Sequence, residues 1–362
     1  MNRRPVASEA EAGIMARSQL MPDAVTLTTY QQSTWVPDRR LSVAPMMDYT
    51  DRFCRYFLRL ISRHTLLYTE MVTTGALLHG DSARFLAHDQ SEHPVALQLG
   101  GSDPGELAAC ARLAERAGFD EVNLNCGCPS DRVQNGSFGA CLMKDPERVA
   151  DAVAAMVDAV DTPVTVKNRI GVDELDSYEH LRDFVGLVAE RGCSTFIIHA
   201  RKAWLKGLSP KQNREIPPLQ YPLVHRLKRD FPALEIIING GITTLDEAQR
   251  QLGAVDGVMI GREAYHNPWL LADVDGRIYG ATAAPISRET VLERFILFAQ
   301  DKIDQGIRLG NITRHILGLY NGEPGARMFR RHISENAHRR SDDVAVVREA
   351  MELVAAARER VA

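Results

Sequence analysis

The chain has 362 residues, 45% hydrophobic and 25% charged, with a formal net charge of −4. That is ordinary globular composition, enough for one barrel-sized domain and a smaller one, and it excludes a protein basic enough to grip nucleic acid over its whole surface. No apolar run approaches the ~20 residues of a membrane span.

Residues 1–38 are polar and aperiodic. Despite Arg3 and Arg4 they lack the apolar stretch and small-residue cleavage site of a signal peptide, so they read as a loose tail ahead of the fold. Short β-branched runs then recur between helix-length segments. Strands are predicted near 41–46, 66–70, 94–100, 121–125, 163–168, 195–200, 235–239 and 256–260, with helices at 103–118, 146–160, 177–191 and 243–253. Ser102 or Asp103, Asp145, and Thr243 or Thr244 stand where N-caps belong. Continuous apolar strands alternating with helices imply a parallel sheet covered by helices, and eight such units over about 230 residues fit a (β/α)8 TIM barrel. The absence of G-x-G-x-x-G after the first strand weakens the doubly wound alternative. Beyond about residue 283 the strands stop, and helical patterns at 287–305, 311–319, 325–338 and 342–360 predict a C-terminal helical domain. The expected division is a tail over 1–38, a barrel over 39–282 and a helical domain over 283–362.

In such a barrel the active site is built where the strands end. The first strand leads into Ala44, Pro45, Met46 and Met47; the second ends at Thr69 and Glu70; the third at Gln98; the fourth at Asn123, Asn125 and Cys128. The fifth carries Lys167 and Arg169, the sixth His199 and Arg201, the seventh Asn239, Gly240 and Gly241, and the eighth Gly261 and Arg262. Singly, each has a plain reading: a strand-end histidine is commonly a hydrogen-bonded core residue, and paired glycines commonly mark tight turns. Jointly, nearly every strand ends in a group that can bond a heterocycle or a phosphate. Asn239–Gly241 before a helix, with Gly261 and Arg262, match the usual barrel phosphate site. A cation at Lys167 can stabilise negative charge on a reduced flavin, Gln98 can bond the flavin's pyrimidine edge, and Pro45–Met47 supply an apolar edge. Flavin mononucleotide, FMN, is the expected cofactor.

Six cysteines, at 54, 110, 126, 128, 141 and 193, appear without a secretion signal, so a disulfide framework is not expected and a cytoplasmic location is. Cys54, Cys110 and Cys193 fall in apolar patterns. Cys126 and Cys128 frame a Cys-Gly-Cys-Pro turn, but no second Cys/His pair at suitable spacing exists, and no metal site is expected.

Several runs resemble the tRNA dihydrouridine synthases: Val43–Cys54, Leu97–Pro104, Asn123–Gly136, Val164–Gly171, Ile197–Lys202 and Ile238–Ile242, within roughly residues 41–340. The likeness is strongest to the A subfamily, which modifies tRNA positions 20 and 20a. It departs at Cys126, where an aliphatic residue is usual, and at Asn168, where threonine is common. The resemblance implies an FMN enzyme that uses NADPH or NADH to reduce the C5=C6 bond of uridines in the tRNA D-loop to 5,6-dihydrouridine. It implies that Pro45, Met46, Met47, Gln98, Lys167, His199, Asn239, Gly240, Gly241, Gly261 and Arg262 hold FMN, that hydride goes to C6, and that Cys128 protonates C5. An ordinary cysteine thiol, with pKa ~8.5, carries its proton at neutral pH, which suits a general acid.

A base in folded RNA must be flipped out to reach a barrel mouth, and this needs local positive charge. Residues 308–340 carry seven arginines (308, 314, 327, 330, 331, 339 and 340) against Glu323 and Glu335. A solvated helix face is the plain reading; phosphate contact is the favoured one. Lys202, Lys206, Lys211 and Arg214 after the sixth strand form an opposing jaw. The resemblance assigns tRNA orientation to Lys211, Arg214, Arg327 and Arg330. Asn125 is expected at the uracil edge, and Arg132 in a lid over Ser130–Gly139. A monomer is expected. The rivals are a flavin barrel acting on a free pyrimidine, as dihydroorotate dehydrogenases do, an aldolase-type Schiff base at Lys167, and a non-catalytic RNA binder.

Overall fold

The eight β-branched runs become eight parallel strands in the computed structural model, which describes residues 36–130, 136–282, 284 and 286–361. They are β1 (Leu41–Val43), β2 (Leu66–Thr73), β3 (Val95–Gly100), β4 (Glu121–Cys126), β5 (Val164–Arg169), β6 (Thr195–His199), β7 (Glu235–Asn239) and β8 (Gly257–Ile260). Each pairs with the next, and β8 pairs back to β1, so the barrel closes and leaves no edge. The TIM barrel expected from the sequence is the observed fold.

Two strands depart from expectation. β1 stops at Val43 because Pro45 has no N–H with which to continue the ladder. β2 does not end at Thr69–Glu70 but runs on to Thr73, with a register irregularity between Tyr68 and Met71. That irregularity frees the Thr69 hydroxyl to accept from Gln98 N at 3.1 Å.

Around the barrel lie α1 (Arg52–Ile61), α2 (Pro104–Ala117), α3 (Pro146–Val157), α4 (Tyr178–Glu190), α5 (Tyr221–Asp230) and α6 (Leu245–Leu252). The caps are Asp51, Asp103, Asp145, Ser177 and Thr244, each accepting first-turn N–H groups through its side chain. Caps of this kind stabilise by ~1 kcal/mol each.

Alternation on the strands sorts the core. On β4, Val122, Leu124 and Cys126 join the outer core beneath the helices. Glu121, Asn123 and Asn125, of opposite parity, face the barrel axis. The axial apolar layer is thin, built mainly of Leu66, Tyr68, Ala96, Ile197, Ile237 and Met259. At the floor, where the strands begin, Glu121 accepts from Arg39 Nε at 2.6 Å, from Thr165 Oγ1 at 2.6 Å and from the Tyr68 hydroxyl. Arg39 also donates to Glu235 at 2.9 Å.

The short α7 (Arg262–His266) follows β8, and the C-terminal region then runs through α8 (Arg288–Asp304), α9 (Leu309–Thr313), α10 (Ala326–Asn336) and α11 (Ala345–Glu359). The helix predicted over 311–319 is instead the short α9 followed by i→i−3 turns, Ile316 N to Thr313 O and Leu319 N to Ile316 O. Gly318 there lies against the His266 carbonyl, where a Cβ would come within 2.5 Å. α8 packs on α1 through stacked Tyr56 and Phe298, 3.7 Å between centroids, and through Phe57 edge-on to Phe295. Among the described residues no helix is long and apolar enough to cross a membrane.

Candidate active site

A chain of side-chain hydrogen bonds climbs the barrel axis from floor to mouth. From the floor carboxylate of Glu121 it passes through Thr165 to Asn123, whose Nδ2 donates to Thr165 Oγ1 at 2.8 Å. Gln98 Nε2 donates to Asn123 Oδ1 at 2.7 Å, and Asn125 Nδ2 donates to Gln98 Oε1 at 2.8 Å. Asn125 Oδ1 then accepts from Gly127 N and Cys128 N, both at 3.0 Å. The chain thus ends on the turn that carries Cys128. Asn125, expected at the substrate's uracil edge, is only 8% exposed and has one N–H left. What it visibly does is shape the Cys128 turn.

The turn is braced from a second side. Arg169 Nε donates to Gly127 O at 2.8 Å, and its Nη1 donates to Lys202 O and Asn213 O at 3.0 Å. The sequence places Arg169 at a strand end without giving it a role. Its inward parity with Lys167 was the available signal. Cys128 is half-buried, with Sγ 3.5 Å from Ser130 Oγ and its carbonyl accepting from Ala140 N at 2.9 Å. Cys126 is buried in the outer core, where desolvation pushes its thiol far up. Cys141 donates to Phe138 O at 3.0 Å, and burial raises its pKa also. Of the three thiols in this loop, Cys128 alone belongs to the mouth.

Across the mouth, Lys167 Nζ donates to Asn239 Oδ1 at 3.0 Å, and Asn239 Nδ2 donates to Met259 O at 2.8 Å. Gly240 (φ 118°) and Gly241 (φ 71°) follow. A Cβ at Gly240 would lie 2.7 Å from the His199 ring, and one at Gly241 2.4 Å from Leu219, so only glycine fits. Gly261 differs: its φ of −97° suits any residue, but nothing lies within 4 Å of where a Cβ would be. Arg262 is half-exposed and donates to Glu215 at 2.9 Å. Arg201 donates to Pro217 O, while its buried Nε has no partner among the described residues. Pro45 and Met46 are half-buried at the rim, and Met47 is exposed. The structure therefore gathers Gln98, Cys128, Lys167, His199, Asn239, Gly240 and Gly241 at the mouth, with Gly261 and Arg262 following β8.

The electrostatics are one-sided. Burial, then Arg169, lowers the Lys167 ammonium to about 7. Burial brings Arg169 to about 10. Burial, then Arg169 and Lys167, holds His199 well below the usual imidazole range. Burial and Arg262 lower Arg214. Such a cluster of underpartnered cations favours an anion between them.

Lys211 and Arg214 are exposed on a loop knotted by buried Asn213, which accepts from Trp204 N at 2.7 Å and donates to Trp204 O at 2.9 Å. Arg132 lies outside the described residues, as does the stretch 131–135 of the expected lid. Arg327 and Arg330 are exposed on α10, whose Ala326, Phe329 and Ile333 are buried. The run of seven arginines is less uniform than its charge suggested. Arg314 pairs with Asp51, Arg331 with Glu335, and Arg340 with Asp343 and Glu349. Arg327 and Arg330 have no ion-pair partner among the described residues. Nor do those residues hold any group of three or more His, Cys, Asp or Glu arranged for a metal.

The sequence profile of the dihydrouridine synthase (Dus) family matches residues 42–357. A tRNA-dihydrouridine(20/20a) synthase of Pseudomonas putida is 62% identical over 318 residues, covering 88% of this chain and 95% of that protein. Proteins of the same name from Salmonella typhi and Escherichia coli K12 are 60% and 61% identical, over 90% and 87% of this chain and 98% and 92% of theirs. The solved structure of a 2-naphthoyl-CoA reductase complex superposes with a TM-score of 0.51 at 10% identity, over 65% of this chain and 49% of that one, a likeness of fold.

Proposed function

The chain belongs to the dihydrouridine synthase family, and from that premise we propose that it reduces uridines 20 and 20a of the tRNA D-loop to 5,6-dihydrouridine, with FMN bound at the barrel mouth and NADPH or NADH as reductant. The observation that carries this reading is the Cys128 thiol, fixed by Asn125 and Arg169 beside a mouth of underpartnered cations.

The mouth's residues fit a phosphate-bearing flavin. Gly240 and Gly241 leave a cradle that a Cβ would fill, and buried Arg201 Nε has an N–H without an acceptor. In this reading Asn239, Gly240, Gly241, Gly261 and Arg262 hold the phosphate end, with Arg262 released from Glu215. Lys167 and His199 face the ring system, Gln98 takes its pyrimidine edge, and Pro45, Met46 and Met47 its apolar edge. When bound, FMN supplies the hydride for C6 of the uracil.

The chain's own part is proton and position. Charge that builds on the uracil as its double bond is reduced requires a proton at C5, and Cys128 Sγ–H delivers it. Asn125 and Arg169 fix the backbone on both sides of that thiol, so the sulfur is aimed without a conformational search. Lys167, half-discharged in the free protein at neutral pH, gains its proton as negative charge arrives and then holds that charge. Lys211, Arg214, Arg327 and Arg330 orient the flipped-out RNA by phosphate contacts. The protein acts as a cytoplasmic monomer.

The lowered pKa of Lys167 also suits a Schiff-base nucleophile. The two readings separate in one assay. Protein, FMN, NADPH and an unmodified tRNA transcript yield dihydrouridine at 20 and 20a in the proposed reading, whereas borohydride-dependent trapping of a carbonyl compound on Lys167 supports the other. Activity on free uridine equal to that on tRNA would point to a free-pyrimidine oxidoreductase.

A further inference from the structure

Asp51 closes the loop that follows β1, the loop that carries Pro45, Met46 and Met47. Its Oδ1 accepts from Phe53 N and Cys54 N, both at 3.0 Å, and so caps α1. A cap needs one oxygen and no charge; asparagine caps as well as aspartate. The second oxygen is used elsewhere. Arg314 Nη2 donates to Oδ2 at 2.7 Å, and His315 Nε2 lies 3.0 Å from both carboxylate oxygens. Both partners come from the segment after α9, more than 260 positions along the chain.

The contact is built for permanence. The His315 side chain is fully buried, and that of Asp51 is 19% exposed. Burial opposes the Asp51 charge, but the bonds from His315, Cys54 N and Arg314 outweigh it and bring its pKa down to about 2. Aromatic rings close the junction. Tyr49, on the same loop, stacks on Tyr265 of α7 at 4.1 Å, and the Tyr265 hydroxyl donates to Arg314 O at 3.3 Å. Thr50, next to Asp51, bonds Met46 through N–H and hydroxyl, which ties the loop's own turn together. The loop after β1 and the start of the arginine-rich C-terminal region therefore meet at one carboxylate, and the helix that starts at Arg262 packs beside both through Tyr265.

We infer that Asp51 is a positioning residue that sets the C-terminal helices against the barrel mouth, so that the exposed arginines of α10 and the Cys128 thiol engage one tRNA molecule together. This rests on the tRNA reading above. It also gives Arg314 a role other than phosphate contact.

Simple charge predicts the opposite sign for the test. Removing an acidic group beside an RNA surface tightens RNA binding. The positioning role predicts loosening. Asp51→Asn, which keeps the cap, is expected to raise both the Kd by filter binding and the KM for an unmodified tRNA transcript about tenfold, with kcat changed less than about threefold. Its FMN content and NADPH-driven flavin reduction stay within about twofold of the parent protein. Arg314→Gln reproduces the loss, and the double variant is no worse than the worse single variant, because both act through one contact. The inference is overturned if Asp51→Asn binds the transcript as tightly as, or more tightly than, the parent protein. Additive losses in the double variant also overturn it, since Arg314 would then touch phosphate directly. So does loss of flavin with tRNA affinity retained. Failure of the underlying reading shows separately, as parent protein that forms no dihydrouridine in the transcript.

Discussion

At the floor of the barrel Arg39 meets two carboxylates, Glu121 at 2.6 Å and Glu235 at 2.9 Å. At the mouth, among the described residues, Lys167 and Arg169 meet an amide oxygen and backbone carbonyls and no carboxylate. Both ends desolvate cations, and the outcome differs by partner. At the floor burial lowers Arg39, but Glu121 and Glu235 more than reverse it and raise its pKa. At the mouth burial is uncompensated, and Lys167 falls to about 7. A buried cation with its carboxylates in place is part of the scaffold. One without them stores unfavourable charge that an anionic ligand relieves.

The largest expected effect lies at the mouth. Cys128→Ala lowers dihydrouridine formation ~10²–10⁴-fold, the usual contribution of a positioned acid, and leaves NADPH-driven flavin reduction intact. Stopped-flow flavin absorbance and product assay together check both halves. Equal losses in both would move the defect from proton delivery to the flavin site.

The second test sets floor directly against mouth. Glu121→Ala takes from Arg39 the more buried of its two carboxylates, leaves the Thr165 and Tyr68 hydroxyls without their acceptor, and costs ~3–5 kcal/mol, a fall in melting temperature on the order of 10 °C. Lys167→Met removes a cation that has no carboxylate, so the flavin-free protein melts at the same temperature or higher, while FMN affinity falls at least about tenfold. Equal destabilisation by the two substitutions would erase the distinction.

A smaller effect follows from titration. Lys167 has a pKa of about 7 in the free protein, and a bound anion raises it. Above pH 7, binding must take up a proton, so affinity for FMN weakens as pH rises from 7 to 9. The flavin phosphate, whose second pKa is ~6, is already fully ionised in that window. Flavin fluorescence titrations check the slope, and Lys167→Met flattens it.

The smallest effect belongs to the outer surface. Arg327→Ala and Arg330→Ala each weaken tRNA binding modestly and reduce the salt dependence of log Kd by about 1. Arg331→Ala, whose charge is paired with Glu335, changes that slope less.

The sequence made the barrel legible because eight β-branched runs and their caps each signal locally, and because the chemistry sits at strand ends of fixed parity. Gln98, Lys167, His199 and Asn239 could be placed this way. The β2 irregularity had no glycine or proline to announce it. Asn125 looked free because its acceptors' partners, Gly127 N and Cys128 N, are backbone groups that only the folded turn presents. Arg314 looked like one more phosphate ligand because its carboxylate, Asp51, lies 263 positions away. Charge runs reveal composition; pairing is a property of the fold.

The most direct measurement maps dihydrouridine in tRNA from cells that lack this protein and are complemented with either the native chain or Cys128→Ala. The expected result is loss of dihydrouridine at positions 20 and 20a, restored by the native chain and not by the variant. Modification retained at both positions without the protein, or restored by Cys128→Ala, would contradict it.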